Sequence, residues 1–267
     1  MSIWSKLRSD SFAGSFLAAL VLMIAVMVVA CTSTNPTGEI QTTWKVNGTI
    51  AHNGSDNRVT VYIEIFRNDE AFISGVVSVA DQSVRSLGDG TYFGNFSIAD
   101  LDSLKSALQI KISTPVDQFQ FQQQVDVPDA FTFAANGLTN NQIFSSTMVN
   151  LEWGTAFPAG SDGGYMLLAK QTSGSLSARG YQETLNGSEG TIPTDAFRSA
   201  NGDFQAGTYN LWVVARSQQP VYFSGLPISF DDSVFSENID RVGVTGQIGA
   251  LYIPPPLEVT AVATIAP

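Results

Sequence analysis

The sequence predicts an all-β protein behind an apolar leader. Charged residues make up 14% of the chain, and 23 of its 267 residues are glycine. Apolar and polar residues alternate with a period of two through several segments, a pattern typical of strands whose two faces meet different environments. Clusters of glycine, asparagine and aspartate separate these segments, where tight turns are expected.

The leader has the three parts of a secretory signal. Lys6 and Arg8 lie in a positively charged start, and residues 12–30 form an uncharged run rich in Leu, Val, Ala and Met. A small residue, Ala30, ends this run, and the composition then changes at once to small polar residues. We therefore predict a signal peptide over residues 1–30.

The last residues of the leader resemble the lipobox of bacterial lipoproteins. They read Val28-Val29-Ala30-Cys31, an aliphatic residue, a tolerant position, a small residue and then cysteine. The resemblance implies that the Cys31 thiol carries diacylglycerol and that a peptidase cuts after Ala30, which makes Cys31 the first mature residue. Cys31 is the single cysteine of the chain, so its lipidation leaves no thiol for a disulfide.

Two other interpretations of the leader stay open. The apolar run is close to the ~20 residues that span a bilayer, so an uncleaved membrane anchor is the first. Cleavage after Ala30 by an ordinary signal peptidase, without any lipid, is the second.

The predicted lipid places the protein at a membrane of the cell envelope. In enteric-type bacteria, aspartate after the lipidated cysteine favours retention in the inner membrane, so the resemblance and Thr32 together favour the outer membrane. Residues 31–40 are small and polar and are predicted to form a tether. The expected partners are the membrane, through the lipid on Cys31, and an unidentified envelope protein.

The charge of the mature chain argues against nucleic acid as a partner. Removal of residues 1–30 leaves 11 basic and 23 acidic residues, a net charge of −12. Binding to nucleic acid depends on neutralisation of phosphates by Lys and Arg, which this balance disfavours. The sequence also contains no phosphate-binding glycine motif, and no cofactor is expected.

Residues 41–127 are predicted to form a first β-sandwich domain. Four aliphatic residues at alternate positions form one face of its clearest strand, and these are Val59, Val61, Ile63 and Ile65. Tyr62 and Phe66 on the opposite face indicate that this face is partly covered as well. A short helix is expected over residues 100–108, where leucines recur at helical spacing. Pro128 cannot donate to a sheet ladder and marks the expected domain boundary.

Residues 128–267 are predicted to form a second β-sandwich domain. Alternating segments predict strands over residues 149–153, 165–171, 181–185 and 207–216. Residues 217–267 then form a C-terminal extension, with strands predicted over residues 221–224, 226–230 and 242–253. Residues 259–265 are predicted as either a last strand or a frayed end. Three consecutive prolines at 254–256 are expected to stop strand pairing.

The second segment resembles a fibronectin type III or related immunoglobulin-like sandwich. The resemblance is carried by the order of Val149, Leu151 and Trp153, followed by Tyr165 and then by Gly207-Thr208-Tyr209. It implies that Trp153 fills the core between the sheets and that the Tyr209 hydroxyl bonds the backbone upstream, as a tyrosine corner. The extension after Arg216 departs from that family.

The first segment has a similar but less specific likeness. Its strand, turn and strand order, followed by Gly88-Asp89-Gly90-Thr91-Tyr92, resembles immunoglobulin-like modules of bacterial surface proteins. The fold class predicted for the whole chain is therefore all-β, with two immunoglobulin-like β-sandwich domains after a cleaved signal peptide.

The residues that carry catalytic chemistry are sparse. A Ser-His-Asp triad would have to use the single histidine, His52, which we predict in a surface turn between Ala51 and Asn53. No nucleophile elbow lies near a helix, and transition metals need clusters of His or Cys. The sequence therefore predicts a protein that is not an enzyme.

Calcium requires only oxygen ligands, and three acidic groups of the sequence are candidate ligands for it. They are Asp162 beside Gly163-Gly164, Asp231-Asp232 with Glu237, and Asp100 with Asp102. None has the spacing of an EF-hand loop, so solvated turn carboxylates are the favoured interpretation and no metal ligand is predicted.

The predicted function is a membrane-anchored envelope lipoprotein with a non-catalytic protein-binding or structural role. A carbohydrate-binding lipoprotein is one alternative, and the aromatic platform would come from Trp44, Trp153, Trp212, Tyr222 and Phe223. A hydrolase with a facing pair of carboxylates is the other. The sequence alone does not identify such a pair.

Overall fold

The structure is a computed structural model that describes residues 42–101, 108–115, 118–145, 148–157 and 163–263. From Thr42 onward the chain forms one compact unit. The predicted signal peptide, Cys31 and the tether lie outside the described residues. In the part of the chain that the structure describes, the regular elements are 18 β-strands and three single-turn 3-10 helices. This confirms the all-β class.

Eight strands precede residue 127. They are β1 (Trp44–Asn53), β2 (Arg58–Arg67), β3 (Glu70–Ala71), β4 (Val76–Val79), β5 (Gln82–Ser86), β6 (Thr91–Ser97), β7 (Leu108–Thr114) and β8 (Phe119–Val125). A 3-10 turn, Ile98–Asp100, follows β6. The helix predicted over residues 100–108 lies mostly outside the described residues, and its last residue, Leu108, instead begins β7.

Ten strands follow. They are β9 (Phe133–Ala135), β10 (Gln142–Ser145), β11 (Val149–Trp153), β12 (Gly163–Gln171), β13 (Tyr181–Leu185), β14 (Glu189–Ile192), β15 (Gly207–Gln218), β16 (Ile239–Arg241), β17 (Val244–Ile253) and β18 (Leu257–Val262). Two 3-10 turns, Thr194–Phe197 and Asp232–Val234, lie between them.

Most strands belong to one extended ladder. Its order is β10-β18-β15-β17-β1-β2-β6-β5-β4-β7-β8, with β12 and β13 joined at β15, and a smaller sheet has the order β14-β11-β9. The ladder passes between the two halves of the chain through β1 and β17, which pair in parallel over ten residues, from Trp44 opposite Val244 to Asn53 opposite Ile253. The C-terminal extension therefore supplies a strand to the sheet of the N-terminal half.

The first core lies between strands of the N-terminal half. The four alternating residues of β2 predicted to share a face, Val59, Val61, Ile63 and Ile65, are fully buried there. They pack with apolar residues of β1, β4, β7 and β8. Period-two alternation thus gives the buried face that the sequence predicts, because successive side chains of a strand point to opposite sides.

The second core lies between β12, β15 and β18 on one side and β9 and β11 on the other. Trp153 is 7% exposed and contacts the Tyr165 ring at 5.2 Å between centroids. The Tyr209 hydroxyl donates to the backbone oxygen of Gln205 at 2.7 Å. Both roles implied by the fibronectin type III resemblance are confirmed, the core tryptophan and the tyrosine corner.

The predicted boundary at residues 127 and 128 coincides with a change of core. Most buried apolar residues up to Val127 pack in the first core, and most of those from Phe131 onward pack in the second core or in a third apolar cluster. Ile239, Ile248 and Ala250 of the extension nevertheless join the first core, because β17 pairs with β1. The division into two domains stays a prediction.

A third apolar cluster lies on the outward face of the long ladder. Residues 219–235, which we call the strap, cross this face. They pair with no strand, and their one regular element is the short 3-10 turn near their end. The strands predicted over residues 221–224 and 226–230 are therefore wrong. The two later predictions correspond to β17 and β18, and the prolines at 254–256 separate these two strands.

Candidate functional site

An open cleft of about 700 Å³ lies over the ends of β12 and β13, beside the strap. Leu168 and Trp212 contribute to its lining from the two paired strands β12 and β15. The loop at residues 176–180 lines one part of the cleft, and strap residues 229–231 line another. We take this cleft as the candidate functional site of the described residues.

The lining of the cleft follows from the alternation of β12. Leu167 and Ala169 point into the second core, whereas Leu168 belongs to the outward cluster. The next outward residue is Lys170, which is exposed at the edge of the strap-covered area. Because successive side chains alternate between faces, β12 supplies both an apolar contact and a cation to the same cleft.

Two glutamine side chains fix the walls. The Gln182 amide donates to the Asp231 backbone oxygen at 2.9 Å and accepts from the Asp231 N–H at 2.7 Å, which joins β13 to the strap. Gln171 is buried and accepts from the Ala178 N–H at 3.1 Å, and it donates to the Ala206 backbone oxygen at 3.2 Å. The cleft therefore has a fixed outline.

The charged groups of the cleft are mainly cationic. Lys170 makes no hydrogen bond or ion pair with any described residue, and Arg179 donates to the Ala200 backbone oxygen at 2.8 Å. Asp231 is the one carboxylate among the described lining residues. The Ser233 N–H donates to it at 3.0 Å, and hydrogen bonding from the Ser233 side chain, followed by that from its N–H, lowers the pKa of Asp231. Lys170 is thus the group most available to a ligand.

Two further residues of the cleft have unusual settings. Leu176 is 63% exposed and has a φ of 54°, a left-handed conformation that a branched side chain rarely adopts. The Tyr181 hydroxyl donates to Glu183 at 2.7 Å. Burial, with a smaller contribution from Glu183, raises the pKa of Tyr181 to about 12, so Tyr181 is a neutral donor at physiological pH.

The structure corrects the predicted setting of His52. It lies in β1 rather than in a surface turn and is 7% exposed, with its ring centroid 4.9 Å from that of Tyr252. The strand continues to Asn53 because β17 pairs with it to the end, and the turn begins only at Gly54. Burial lowers the pKa of His52, although a hydrogen bond with Asn57 opposes this effect.

The acidic groups considered as candidate calcium ligands have other partners. Asp231 caps the 3-10 turn through Ser233, Asp232 accepts from the Tyr222 N–H at 2.8 Å, and Glu237 lies 3.4 Å from the Lys45 ammonium. Asp162 and Asp102 lie outside the described residues, as does the side chain of Asp100. Within the described ranges, no group of three His, Cys, Asp or Glu residues is placed to hold a metal ion.

The five aromatic residues that were candidates for a sugar-binding platform do not form one surface. Four of them, Trp44, Trp153, Trp212 and Phe223, are buried, and Tyr222 is 39% exposed. The buried four divide among the first core, the second core and the outward cluster. Strand positions with a buried face, rather than a sugar platform, account for their spacing.

The sequence did not indicate the cleft. Its lining comes from four separate segments, and the local signals are the uninterrupted apolar runs at residues 165–169 of β12 and 211–215 of β15, which are typical of strands buried on both faces. Among the described residues, no helix has the length and hydropathy needed to cross a bilayer.

Comparison with known proteins finds similarity to solved structures. No protein-family model and no curated protein matches the chain. The chain is similar to domains A168–A170 of titin, with 13% identity, a TM-score of 0.21, and coverage of 65% of this chain and 60% of that one. It is also similar to the FN1–FN3 domains of chicken CNTN1, with 9% identity, a TM-score of 0.24, and coverage of 81% and 62%. The matches thus span less than two thirds of either structure.

Proposed function

We propose that this chain is a lipoprotein of the bacterial cell envelope whose β-sandwiches have a non-catalytic protein-binding or structural role. The observation that carries the proposal is the position of Cys31. It is the single cysteine of the chain, and it follows Val28-Val29-Ala30 at the end of an apolar leader. Thr32 after the cysteine favours the outer membrane.

The lipid would provide the membrane attachment. Each buried CH₂ group contributes about 0.8 kcal/mol, and a single acyl chain binds only reversibly, so the two chains of a diacylglycerol are needed for stable anchoring. The compact β unit begins at Thr42. The residues between Cys31 and that unit are mostly small and polar, and ten residues extend over at most about 35 Å. The sandwiches would therefore work close to the membrane surface.

A binding role is supported by the character of the cleft. Its groups are hydrogen-bond donors, cations and apolar side chains, on walls fixed by Gln171 and Gln182. Glycoside hydrolysis by a carboxylate pair needs two facing groups, and the described lining contributes Asp231 alone. These features suit recognition of a partner.

The anchor is tested by acyl labelling in a bacterial host. Cys31→Ala is expected to abolish incorporation of labelled palmitate and to leave the unprocessed precursor, while the neighbouring control Thr32→Ala keeps both label and processing. If the wild-type chain takes up no label, or if Cys31→Ala is processed normally, the lipoprotein proposal is wrong.

The binding role is tested separately by crosslinking in intact envelopes. We expect the full chain to be recovered in a reproducible crosslinked complex with an envelope protein. Repeated recovery of the chain with no crosslinked partner would contradict a protein-binding role and leave only the structural one.

A further inference from the structure

We infer that the cleft beside the strap binds an extended acidic peptide segment that carries apolar side chains and belongs to another protein. This inference rests on the proposed binding role and specifies the chemistry of the partner. It does not depend on the lipid at Cys31.

The strap shows how this face of the ladder holds an extended chain. Its apolar side chains are buried at alternate positions on each side of a turn at residues 224–225, and these are Val221 and Phe223 before the turn and Leu226, Ile228 and Phe230 after it. The intervening residues Tyr222, Ser224, Pro227, Ser229 and Asp231 are exposed. The Phe223 ring stacks on Tyr62 with 4.5 Å between centroids and 3° between planes. On each side of the turn, the face thus accepts a short extended segment that inserts every second side chain.

Apart from the Gln219 N–H, which donates to the Ile248 backbone oxygen of β17 at 3.2 Å, side chains of the ladder hold the backbone of the strap. The Thr49 hydroxyl bonds both the N–H and the carbonyl of Val221, and the Gln182 amide does the same with Asp231. The amide of Gln247 donates to the Pro220 carbonyl at 3.2 Å. These contacts recognise backbone alone, so they impose no demand on sequence beyond the alternation of apolar residues.

The cleft continues this face where the strap turns away. Leu168, Trp212 and Phe230 belong to the same outward cluster that the strap covers, and all three line the cleft. At the opposite wall Leu176 holds its side chain in solvent, on a backbone with positive φ. Non-glycine residues in this conformation concentrate at ligand-binding sites. An apolar side chain of the bound segment would pack between these groups.

Charge selects the segment. Two cations, Lys170 and Arg179, and one carboxylate, Asp231, line the cleft in a chain that has 13 basic and 24 acidic residues, so the cleft is locally more basic than the chain. The Lys170 side chain has no partner among the described residues, and the Arg179 guanidinium makes one hydrogen bond there, to the Ala200 backbone oxygen. Complementary charge favours association and excludes other partners. The segment is therefore acidic as well as apolar.

The test uses the full chain in detergent and a defined set of probes. Fluorescein-labelled peptides of ten residues, with Asp or Glu alternating with Leu, Ile or Phe, are titrated by fluorescence anisotropy. The comparison peptides replace the acidic residues with Lys or the apolar residues with Ser. We expect saturable binding of the acidic-apolar peptides, with Kd values at least about tenfold lower than for either comparison set.

Two variants and one matched control locate the binding. Lys170→Glu combined with Arg179→Glu is expected to raise Kd about tenfold or more, and Leu176→Ser about threefold or more. The control, Arg58→Glu with Arg85→Glu, makes the same charge change at exposed positions outside the cleft. It should leave Kd within about twofold. Circular dichroism spectra identify any variant that has not folded.

Several results would overturn the inference. They are the absence of binding at millimolar peptide, equal loss of binding in the charge-matched control, and retained binding in both cleft variants. Binding of polygalacturonate or of anionic phosphatidylglycerol vesicles to the cleft, with no peptide bound, would also overturn it. Cys31→Ala should still bind the peptides, so failure of the lipid anchor and failure of the cleft are distinguishable.

Discussion

Thr49 of β1 and Val221 of the strap form a two-way hydrogen-bonded contact. The Thr49 hydroxyl donates to the Val221 backbone oxygen at 2.6 Å and accepts from the Val221 N–H at 2.7 Å. Thr49 is fully buried, and Val221 is 8% exposed. One hydroxyl therefore satisfies both polar groups of a backbone unit that belongs to no sheet, and water does not reach the contact freely.

Replacement of this hydroxyl by a methyl group should weaken the strap. Thr49→Val keeps the shape of the side chain but leaves the Val221 N–H and carbonyl buried without a partner. Each such group costs about 1–3 kcal/mol, so we expect a loss of about 2–4 kcal/mol in the free energy of unfolding, measured in urea. Thr245→Val, at an exposed position of β17, is the control. Equal effects at the two positions would contradict the role of Thr49.

The parallel pairing of β1 with β17 depends on Gly246. Its φ is 144°, and a Cβ atom there would lie 2.0 Å from the backbone oxygen of Val46, which is opposite it in the ladder. Gly246→Ala should therefore destabilise the fold by at least about 3 kcal/mol, because backbone on both strands must shift. Gly154→Ala is the control, since a Cβ at Gly154 meets no atom within 4 Å. Thermal unfolding of the two variants checks this, and similar midpoints would contradict it.

The tyrosine corner makes a separate prediction. Tyr209→Phe removes the hydroxyl that donates to the Gln205 backbone oxygen and leaves the ring in the second core. We expect a loss of about 1–1.5 kcal/mol in the free energy of unfolding, because one buried acceptor loses its partner. Tyr222→Phe removes a hydroxyl from a residue that is 39% exposed and should change the same quantity by less than about 0.5 kcal/mol.

The alternation of residues predicted the cores but not the position of the strap. As expected, β2 has one face in the first core, formed by Val59, Val61, Ile63 and Ile65. Strap residues 221–223 and 226–230, on the two sides of a turn, each have the same period-two pattern, yet they pair with no strand. Alternation indicates that every second side chain is buried. A segment that lies across the face of a sheet buries every second side chain, and so does a strand within the sheet. The pattern alone does not distinguish the two cases.

The buried setting of His52 and the cleft both depend on contacts between segments that are far apart in the chain, so local sequence patterns did not predict them. His52 precedes Asn53 and Gly54, whose composition is typical of a turn, but β17 extends the ladder to Asn53 from about 200 positions further along the chain. The cleft depends in the same way on the contact of Gln182 in β13 with strap residue Asp231. Local sequence carries information about turns and faces, whereas which distant segments meet is set by packing of the whole chain.

His52 should make stability depend on pH below neutrality. Burial lowers its pKa in the folded state below the ordinary value of 6.5. The unfolded state therefore binds a proton first, and stability is lost as pH falls from about 6.5 through the lower folded-state pKa. His52→Phe keeps a ring beside Tyr252 and removes this contribution, so its free energy of unfolding should fall less between pH 7.5 and pH 5 than that of the wild type. Because His52 is the single histidine, its NMR titration gives the folded-state pKa directly. A midpoint at or above 6.5, or equal pH dependence in the two proteins, would contradict the buried setting.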